Sequence, residues 1–227
     1  MLETFETRSL LRVFFNHKGK MRGFFKMADH YFTNKPHTES EQSAWTYTLR
    51  GFTFKFVTDL GVFSKKTVDF GSRLLIETID FDKMVEGDIL DVGCGYGPIG
   101  LSLAKAANER MVEMVDVNER ALGLAKQNAS NNRISNAKIH PSNIYQQVEG
   151  ESYAAIVSNP PIRAGKKVVH EILTGSFARL KAQGTLTIVI QKKQGAPSAK
   201  EKMKETFGNV EVLTKDKGYW IIQSTKN

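Results

Sequence analysis

Two groups of residues in this chain are suited to chemistry on a charged ligand and on an amine. Asp91 is followed by Gly93, Gly95 and Gly97, and the sequence Asn159-Pro160-Pro161 stands later in the chain. Closely spaced glycines let the backbone approach a ligand, and a carboxylate beside them attracts a cationic group. Each group follows an apolar run typical of a buried strand. Since the carboxyl ends of strands in one parallel sheet lie together, we expect the two groups to share one cleft.

The acids around the glycine loop indicate which ligand it binds. Gly95-x-Gly97-x-x-Gly100 alone matches a dinucleotide-binding loop weakly, because glycine-rich turns are common. Asp116 follows Gly97 by 19 residues, and a carboxylate there can accept hydrogen bonds from both ribose hydroxyls. A nicotinamide cofactor does not require Asp91, whereas S-adenosylmethionine has a ribose, an ammonium group and a sulfonium methyl that fit both acids. The alternative is that Asp91 and Asp116 only cap the helices that follow them.

Asn159-Pro160-Pro161 is suited to methylation of an amine whose lone pair is delocalised into a π-system. The Asn159 side-chain oxygen and the Pro160 carbonyl can each accept one N–H of that amine, which directs the lone pair at a methyl group. The prolines hold these acceptors rigidly and contribute no N–H of their own. Asn159 and Pro160 are therefore the predicted catalytic residues. The alternative is an ordinary turn after a strand.

The remaining residues with reactive side chains are predicted to have structural roles. Asn118 is expected to cap a helix that starts at Glu119. Cys94 is expected to be a small loop residue, because no base or metal partner stands near it in the sequence. As the single cysteine it also excludes an internal disulfide, and the five histidines have no ligand-like spacing. No metal site is predicted.

The net charge of +8 is concentrated at the two ends of the 227-residue chain. Lys and Arg outnumber Asp and Glu by 6 to 2 in residues 1–26 and by 13 to 5 in residues 162–227, whereas residues 27–161 have 13 against 17. A cationic surface beside the Asn-Pro-Pro sequence favours RNA as partner, and lysines scattered over solvated helices are the alternative. No apolar run approaches the ~18 residues of a membrane span or resembles a secretory signal, so we expect a cytoplasmic protein.

From Asp88 onward, strand-like and helix-like segments alternate, which predicts one α/β domain with a doubly wound sheet. The predicted strands cover residues 88–92, 111–117, 137–140, 153–158, 185–190, 210–213 and 219–224. The predicted helices cover residues 99–107, 119–130, 168–180 and 198–207. The polar link 214–218 is too short for a helix, so the seventh and last strand is expected to be antiparallel to its neighbour.

The residues before this domain are divided into two parts. The basic and aromatic segment 1–26 is expected to be a disordered extension, with a flexible RNA-binding arm as the alternative. Segment 27–70 contains a predicted β-hairpin, residues 44–49 and 52–56 around Arg50-Gly51, that serves as a lid or as an edge extension of the sheet. Ser72 is expected to cap a helix through residues 74–76, and residues 71–227 form the catalytic domain.

Together, the motifs resemble the class I S-adenosylmethionine-dependent methyltransferases, which have a Rossmann-like sheet. Three longer strings narrow the resemblance: Thr58-Asp59-x-Gly61-Val62-Phe63-Ser64, Ser158 to Lys166, and Gln191-Lys192-Lys193-Gln194-Gly195-Ala196. They are similar to the small-subunit ribosomal RNA guanine-N2 methyltransferase family, in a short form with one catalytic domain. The similarity begins at about Met27, which is an alternative start of the protein. It implies a seven-stranded sheet with a reversed last strand.

The resemblance also implies roles for individual residues. Asn159 and Pro160 would hold the target amine, and the cofactor would be held by Asp91, Gly93, Gly95, Gly97, Asp116, Val117 and Asn143. Asn143 replaces an acid that often contacts the adenine amino group in the family. The predicted substrate residues are Phe63, Pro161, Ile162, Arg163, Lys166 and Gln194. Ile162 stands where many amine methyltransferases have an aromatic residue, so stacking on the target base is expected from Phe63 instead.

The predicted function is methylation of an exocyclic base amine, guanine N2 of 16S ribosomal RNA, with S-adenosylmethionine as cofactor. Protein glutamine N5-methylation and adenine N6-methylation use the same Asn-Pro-Pro chemistry and remain alternatives. The cations Arg163, Lys166, Lys192 and Lys193 favour a phosphate backbone over a protein substrate. A non-catalytic RNA-binding module would not require Asp91, Asp116 and Asn159 together, and a nicotinamide oxidoreductase explains neither Asp91 nor Asn159. The choice between free RNA and a ribosomal particle and the oligomeric state stay open.

Overall fold

The computed structural model describes residues 41–59 and 67–227, which form two β-sheets with helices on both faces of the larger one. The strands are β1 (Ser43–Leu49), β2 (Phe52–Thr58), β3 (Ile89–Val92), β4 (Val112–Asp116), β5 (Ala137–Pro141), β6 (Tyr153–Ser158), β7 (Leu180–Gln191), β8 (Glu211–Asp216) and β9 (Tyr219–Thr225). The helices are α1 (Phe70–Thr78), α2 (Pro98–Ala106), α3 (Glu119–Asn131), α4 (Lys166–Arg179) and α5 (Ala196–Phe207). The predicted extension 1–26 and Phe63 lie outside the described residues.

The larger sheet has seven strands in the order β5-β4-β3-β6-β7-β9-β8. Strands β3 to β7 are mutually parallel where they pair, and β9 is antiparallel to both β7 and β8. From β3 the chain adds β4 and β5 toward one edge of the sheet, and then β6 to β9 on the other side of β3. A doubly wound sheet with a reversed last strand, as the sequence predicts, is therefore confirmed. The change of direction between β3 and β6 is where such sheets open a ligand crevice.

The last two strands form a hairpin because their connection is short. Asp216 pairs with Tyr219, so Lys217 and Gly218 alone make the turn. Both have positive φ angles, 46° and 79°, as a two-residue turn between twisted strands requires. A crossover connection to a parallel strand needs about a dozen residues or more. The antiparallel direction of β9 follows from the length of this link.

The helices divide between the two faces of the sheet. Apolar side chains of α1, α2 and α3 form one buried cluster together with the β1–β2 hairpin, and those of α4 and α5 form a second cluster on the opposite face. Ile89 belongs to the first cluster, whereas Leu90 and Val92 belong to the second. This alternation along β3 directs the side chain of Asp91 to the face of α2. In the described part of the chain, no helix is long and apolar enough to cross a membrane.

Strand β7 starts earlier than the sequence predicts. The apolar spacing predicts a helix to residue 180 and a strand from 185, but α4 ends at Arg179 and Leu180 already pairs with Tyr153. The register then shifts, so that Ala155 pairs with Thr185. Gly184 lies against the backbone here, since a Cβ on it would be 2.8 Å from the Tyr153 carbonyl oxygen. Pairing with β6 thus overrides the local helical pattern.

The predicted hairpin is confirmed. Of its two expected roles, a lid or an edge extension of the large sheet, the structure contradicts the second. Leu49 pairs with Phe52, and the turn residues Arg50 and Gly51 have φ angles of 49° and 79°. The two strands form a sheet of their own, so an extension of the large sheet's edge is wrong. The hairpin packs on α1 and α3 instead, because its apolar side chains belong to the cluster on that face. The role as a lid stays a prediction.

The start of α1 corrects another prediction. Ser72 is not the N-cap: Asp69 is, and its Oδ1 accepts a hydrogen bond from the Ser72 backbone N–H at 3.0 Å. Helix α1 therefore begins at Phe70, and Ser72 is a buried residue of its first turn. Aspartate is among the preferred residues for an N-cap, because its side-chain oxygen accepts from the second or third helical N–H.

Candidate active site

The glycine loop joins β3 to α2 in a conformation that side chains disfavour. Gly93, Gly95 and Gly97 have φ angles of 78°, 58° and 98°, in the left-handed region. A Cβ added at Gly93 or Gly95 would meet no atom within 4 Å, so the space in front of these two residues is open. Gly97 precedes α2 without any side-chain cap. The loop therefore offers bare backbone to a ligand at the positive end of a helix.

Asp91 is fully buried below this loop and has one unsatisfied oxygen. Its Oδ2 accepts a hydrogen bond from the Gly100 N–H at 2.8 Å, so the capping alternative is realised by one of the two oxygens. Its Oδ1 is buried and accepts no hydrogen bond from any residue that the structure describes. Burial raises the pKa of Asp91 to about 7, with the nearby charge of Asp116 adding to the effect and the Gly100 N–H opposing it. A cationic ligand group would complete the missing contact.

Asp116 lies at the carboxyl end of β4 beside the loop. Its Oδ2 accepts from the Gly95 N–H and its Oδ1 from the Asn118 N–H, both at 2.9 Å. Burial raises the pKa of Asp116, while the backbone N–H groups of Asn118, Gly95 and Val117 lower it. A carboxylate has about four acceptor sites, so capacity for ribose hydroxyls remains. Asn118 caps α3 by accepting from the Arg120 and Ala121 N–H groups, which confirms its predicted role.

The sheet brings the ends of β3 and β6 together. Asp91 of β3 pairs with Val157 of β6, and Asn159 stands two residues after Val157. The Ser158 hydroxyl donates a hydrogen bond to the Val92 carbonyl at 2.7 Å, which ties the two strand ends. The predicted cofactor and amine residues therefore lie at one edge of the sheet, at adjacent strands.

Asn159 is half-buried. Two residues orient its side-chain amide: Asp69, the N-cap of α1, and Ser72 in the first turn of that helix. Its Nδ2 donates to the Ser72 Oγ at 3.1 Å and to the Asp69 Oδ1 at 3.4 Å. Because a carboxylate only accepts, the amide atom next to it is the nitrogen. The Asn159 Oδ1 then points away from α1, and no described residue donates a hydrogen bond to it. Pro160 is buried beside it and has no N–H.

A small cavity joins three of the predicted substrate residues. Ile162, Lys166 and Gln194 lie around a volume of about 200 Å³ between the starts of α4 and α5. Its other lining residues are mostly apolar: Val169, His170, Ile190, Gly195, Ser198 and Ala199. Burial lowers the pKa of His170, and the charge of Lys166 lowers it further. Ile162 and Lys166 follow the Asn-Pro-Pro sequence in the chain, and a role of this cavity in substrate binding stays a prediction.

Other predicted site residues have simpler surroundings. Pro161 is half-buried, as is Val117 beside Asp116, while Arg163 is exposed in a short 3₁₀ turn after the motif. Asn143 is exposed after β5, and its backbone N–H donates to the Gln147 Oε1 at 2.9 Å. The predicted adenine contact of Asn143 is therefore compatible with its exposure and stays a prediction.

Three residues of this site were missed by sequence reasoning. Asp69 and Ser72 contact Asn159, although about 90 residues separate them along the chain. Asn128 on α3 donates from its Nδ2 to the Tyr96 carbonyl in the glycine loop at 2.9 Å. An Asp three residues before Ser72 is an N-cap signal that was available in the sequence. No local signal connects Asn128 to the loop.

Cys94 lies in the glycine loop but is not suited to act as a nucleophile. Its side chain is buried, and burial raises its pKa well above the usual value, with the charges of Asp116 and Asp91 adding to the effect. The thiol form is not a good nucleophile or metal ligand. Within residues 41–59 and 67–227, no group of three or more His, Cys, Asp or Glu side chains is placed to hold a metal ion.

Comparisons with known proteins agree with this geometry. The model of the methyltransferase small domain family matches residues 53–223. The uncharacterized protein YbxB of Bacillus subtilis (strain 168) is 55% identical over 201 residues, which cover 88% of this chain and 100% of that protein. Ribosomal RNA small subunit methyltransferase C of Haemophilus influenzae (strain 86-028NP) is 32% identical over 201 residues, which cover 86% of this chain and 58% of that protein. This chain thus spans little more than half the length of that relative.

A solved structure has the same fold. The 16S rRNA N2 G1207 methyltransferase of T. thermophilus, in complex with AdoMet and guanosine, aligns with a TM-score of 0.74 and 24% identity. The alignment covers 85% of this chain and 52% of that one. A methyltransferase from Pyrococcus furiosus aligns with a TM-score of 0.59 and 21% identity, over 68% of this chain and 80% of that one.

Proposed function

This chain belongs to the methyltransferase small domain family, and from that premise we propose that it methylates guanine N2 of 16S ribosomal RNA with S-adenosylmethionine as cofactor. The observation that carries the proposal is the orientation of Asn159, whose amide nitrogen is engaged by Asp69 and Ser72 while its oxygen is left to accept. The relatives named as small-subunit ribosomal RNA methyltransferases support the choice of substrate.

The residues of the glycine loop fit S-adenosylmethionine. The buried, unsatisfied Oδ1 of Asp91 is placed to take a cationic group, as the ligand's ammonium provides. Asp116 retains acceptor capacity for the ribose hydroxyls, and the open space before Gly93 and Gly95 admits the ligand close to the backbone. Val117 and Asn143 are the proposed residues on the adenine side. When bound, this cofactor supplies an electrophilic methyl group on a sulfonium.

Asn159 and Pro160 hold the target amine. One N–H of the amine donates to the Asn159 Oδ1 and the other to the Pro160 carbonyl, which draws the nitrogen toward a tetrahedral shape and frees its lone pair. A cofactor held at Asp91 and Asp116 would supply the methyl group to this lone pair, and the nitrogen held by Asn159 and Pro160 would then lose its proton to solvent. Catalysis by these residues consists of positioning and electrostatic stabilisation.

The surface next to Asn159 is suited to RNA. Arg163, Lys166, Lys192 and Lys193 are all exposed and follow the strand ends of β6 and β7. Cations in this arrangement bind phosphates, which gives affinity without reading the sequence. The cavity at Ile162 and Gln194 then receives an unstacked part of the substrate.

Mass analysis of modified nucleosides tests this function. Naked 16S RNA and small ribosomal subunits, both from a strain that lacks the gene, are incubated with the purified protein and S-adenosylmethionine. We expect one new N2-methylguanosine in one of the two substrates, and we expect Asn159→Ala to form it roughly a hundredfold more slowly. The variant Glu77→Gln, exposed at the far end of α1, is the matched control. Formation of N6-methyladenosine, or of a methylated glutamine in ribosomal protein, would assign a different acceptor.

A further inference from the structure

Asp69 and Ser72 contact the proposed catalytic amide from the first turn of α1. We propose that these two are positioning residues: they hold the Asn159 amide in the one orientation that can accept the substrate N–H, and the Asp69 charge strengthens that acceptor. This inference rests on the proposed function, because it concerns how Asn159 receives an amine. It assigns a catalytic consequence to a helix cap, which otherwise has only a structural role.

The geometry places both acceptors on rigid backbone. Asp69 is the N-cap of α1, and its Oδ1 accepts from the Ser72 N–H at 3.0 Å and from the Asn159 Nδ2 at 3.4 Å. The Ser72 Oγ accepts from the same Nδ2 at 3.1 Å, and Ser72 is only 3% exposed. The two hydrogens of the Asn159 amide thus have a buried hydroxyl and a carboxylate as partners.

The reversed amide orientation is excluded by charge. It would place the Asn159 Oδ1 against the Asp69 carboxylate, two acceptors without a hydrogen between them. It would also turn the Nδ2, a donor, toward the space where the substrate N–H groups must be accepted. The observed orientation satisfies α1 and the substrate side together.

The negative charge of Asp69 also affects the amide oxygen. A hydrogen bond from Nδ2 to a charged acceptor is stronger than one to a neutral acceptor, and it shifts electron density in the amide toward Oδ1. The oxygen becomes a better acceptor for an aromatic amine N–H. An uncharged acceptor at residue 69 would preserve the orientation but lose this effect.

Packing keeps the first turn of α1 in place. A Cβ added at Gly71 would lie 2.9 Å from the Tyr219 Cε1, so the helix start is in close contact with β9. The ring of Phe70 lies 5.6 Å from that of Tyr219. Burial raises the pKa of Tyr219, and the charge of Asp69 adds to the effect. The position of Asp69 is therefore set by the sheet as well as by its own helix.

Enzyme kinetics of variants at Asp69 and Ser72, made both in the parent protein and in Asn159→Ala, test the proposal. Asp69→Asn keeps an N-cap and the shape of the side chain but removes the charge, and Ser72→Ala removes one acceptor. We expect each to lower kcat by about tenfold with little change in the KM for the cofactor, since the lost interaction acts on the transition state. In the Asn159→Ala background the same changes should have no further effect, because they act through the missing amide.

A measurement without RNA completes the test. The side-chain amide resonance of Asn159 is assigned in an ¹⁵N spectrum by its loss in Asn159→Ala. We expect it to shift in both Asp69→Asn and Ser72→Ala and to stay in place in Glu77→Gln, an acid at the other end of the same helix. An unshifted resonance, or an equal loss of kcat in the Asn159→Ala background, would overturn the positioning role. If the parent protein methylates no RNA, the proposed function fails, and the resonance alone still decides the orientation of the amide.

Discussion

The side chain of Asn128 on α3 forms two hydrogen bonds with the backbone of Val57 in β2. Its Oδ1 accepts from the Val57 N–H at 2.7 Å and its Nδ2 donates to the Val57 carbonyl at 3.1 Å. The same Nδ2 donates to the Tyr96 carbonyl, so one buried amide joins the hairpin to the glycine loop. Asn132, directly after the end of α3, makes the equivalent pair of bonds with Lys55. The hairpin is thereby fixed next to the glycine loop.

Replacement of Asn128 should weaken both the fold and cofactor binding. Asn128→Ala leaves the buried N–H and carbonyl of Val57 without the side chain that pairs with them and removes the bond to the Tyr96 carbonyl, so we expect a loss of about 2 to 4 kcal/mol in the free energy of unfolding. Asn132→Ala is the matched control: its bonds to Lys55 are exposed, and water can replace them. Urea unfolding of both variants measures the difference, and equal losses would contradict the role of the buried amide.

The pH dependence of cofactor binding should report on Asp91. Its pKa in the unliganded protein is raised to about 7, so it takes up a proton as the pH falls through that value. A protonated Asp91 no longer attracts an ammonium group, and we expect the affinity for S-adenosylhomocysteine to fall by about tenfold from pH 8 to pH 6. Calorimetry of the parent and of Asp91→Asn checks this, since the variant should bind weakly and without this dependence.

The stability of the unliganded protein should increase as the pH falls from 8 to 6, whereas its affinity for the cofactor should decrease. Because the folded pKa of Asp91 is above the unfolded value, the buried charge costs folding free energy above pH 7, and this cost decreases as the pH falls below 7. Asp91→Asn should therefore raise the thermal midpoint of the unliganded protein at pH 8 while it weakens the complex. A lower thermal midpoint for the variant at that pH would show that burial of the Asp91 carboxylate does not destabilise the unliganded protein.

Asp116 is expected to contribute to cofactor affinity through the ribose. Asp116→Ala removes hydrogen bonds to a charged group, each of which contributes about 1.5 to 3 kcal/mol, so binding should weaken by about tenfold or more. Asp82→Ala, an exposed acid before β3, is the control for a change in net charge. Calorimetric titration with S-adenosylhomocysteine measures both, after circular dichroism shows that each is folded. An unchanged affinity would remove Asp116 from the ribose site.

Arg163 and Lys166 should contribute to RNA affinity as phosphate contacts. Replacing both with Ala is expected to weaken binding and to reduce the slope of log K against log salt by about 0.7 to 0.9 for each lost contact. Lys83→Ala with Lys126→Ala removes two exposed cations elsewhere, before β3 and on α3. Filter binding at several salt concentrations compares the two double variants. The parent's slope in the Arg163/Lys166 variant would mean that these residues do not contact phosphates.

Much of the fold could be predicted from local patterns. The apolar segments and turn residues indicate most of the strands and helices within a few residues, and the short link at Lys217-Gly218 determines the reversed last strand. The carboxyl ends of neighbouring parallel strands meet at one edge, so the spacing of Asp91, Asp116 and Asn159 in the sequence was sufficient to place them together.

The sequence by itself therefore determined where most strands and helices lie and which polar residues stand at the strand ends, because both depend on periodicity and on residues close together in the chain. The tertiary structure alone decided which partners the side chains find across the chain: Asp69 and Ser72 for Asn159, and Val57 and Tyr96 for Asn128. These bonds depend on how helices pack against the sheet, and a local pattern carries no information about a partner about 30 to 90 residues away. The orientation of the Asn159 amide, on which the proposed chemistry depends, is set by that packing.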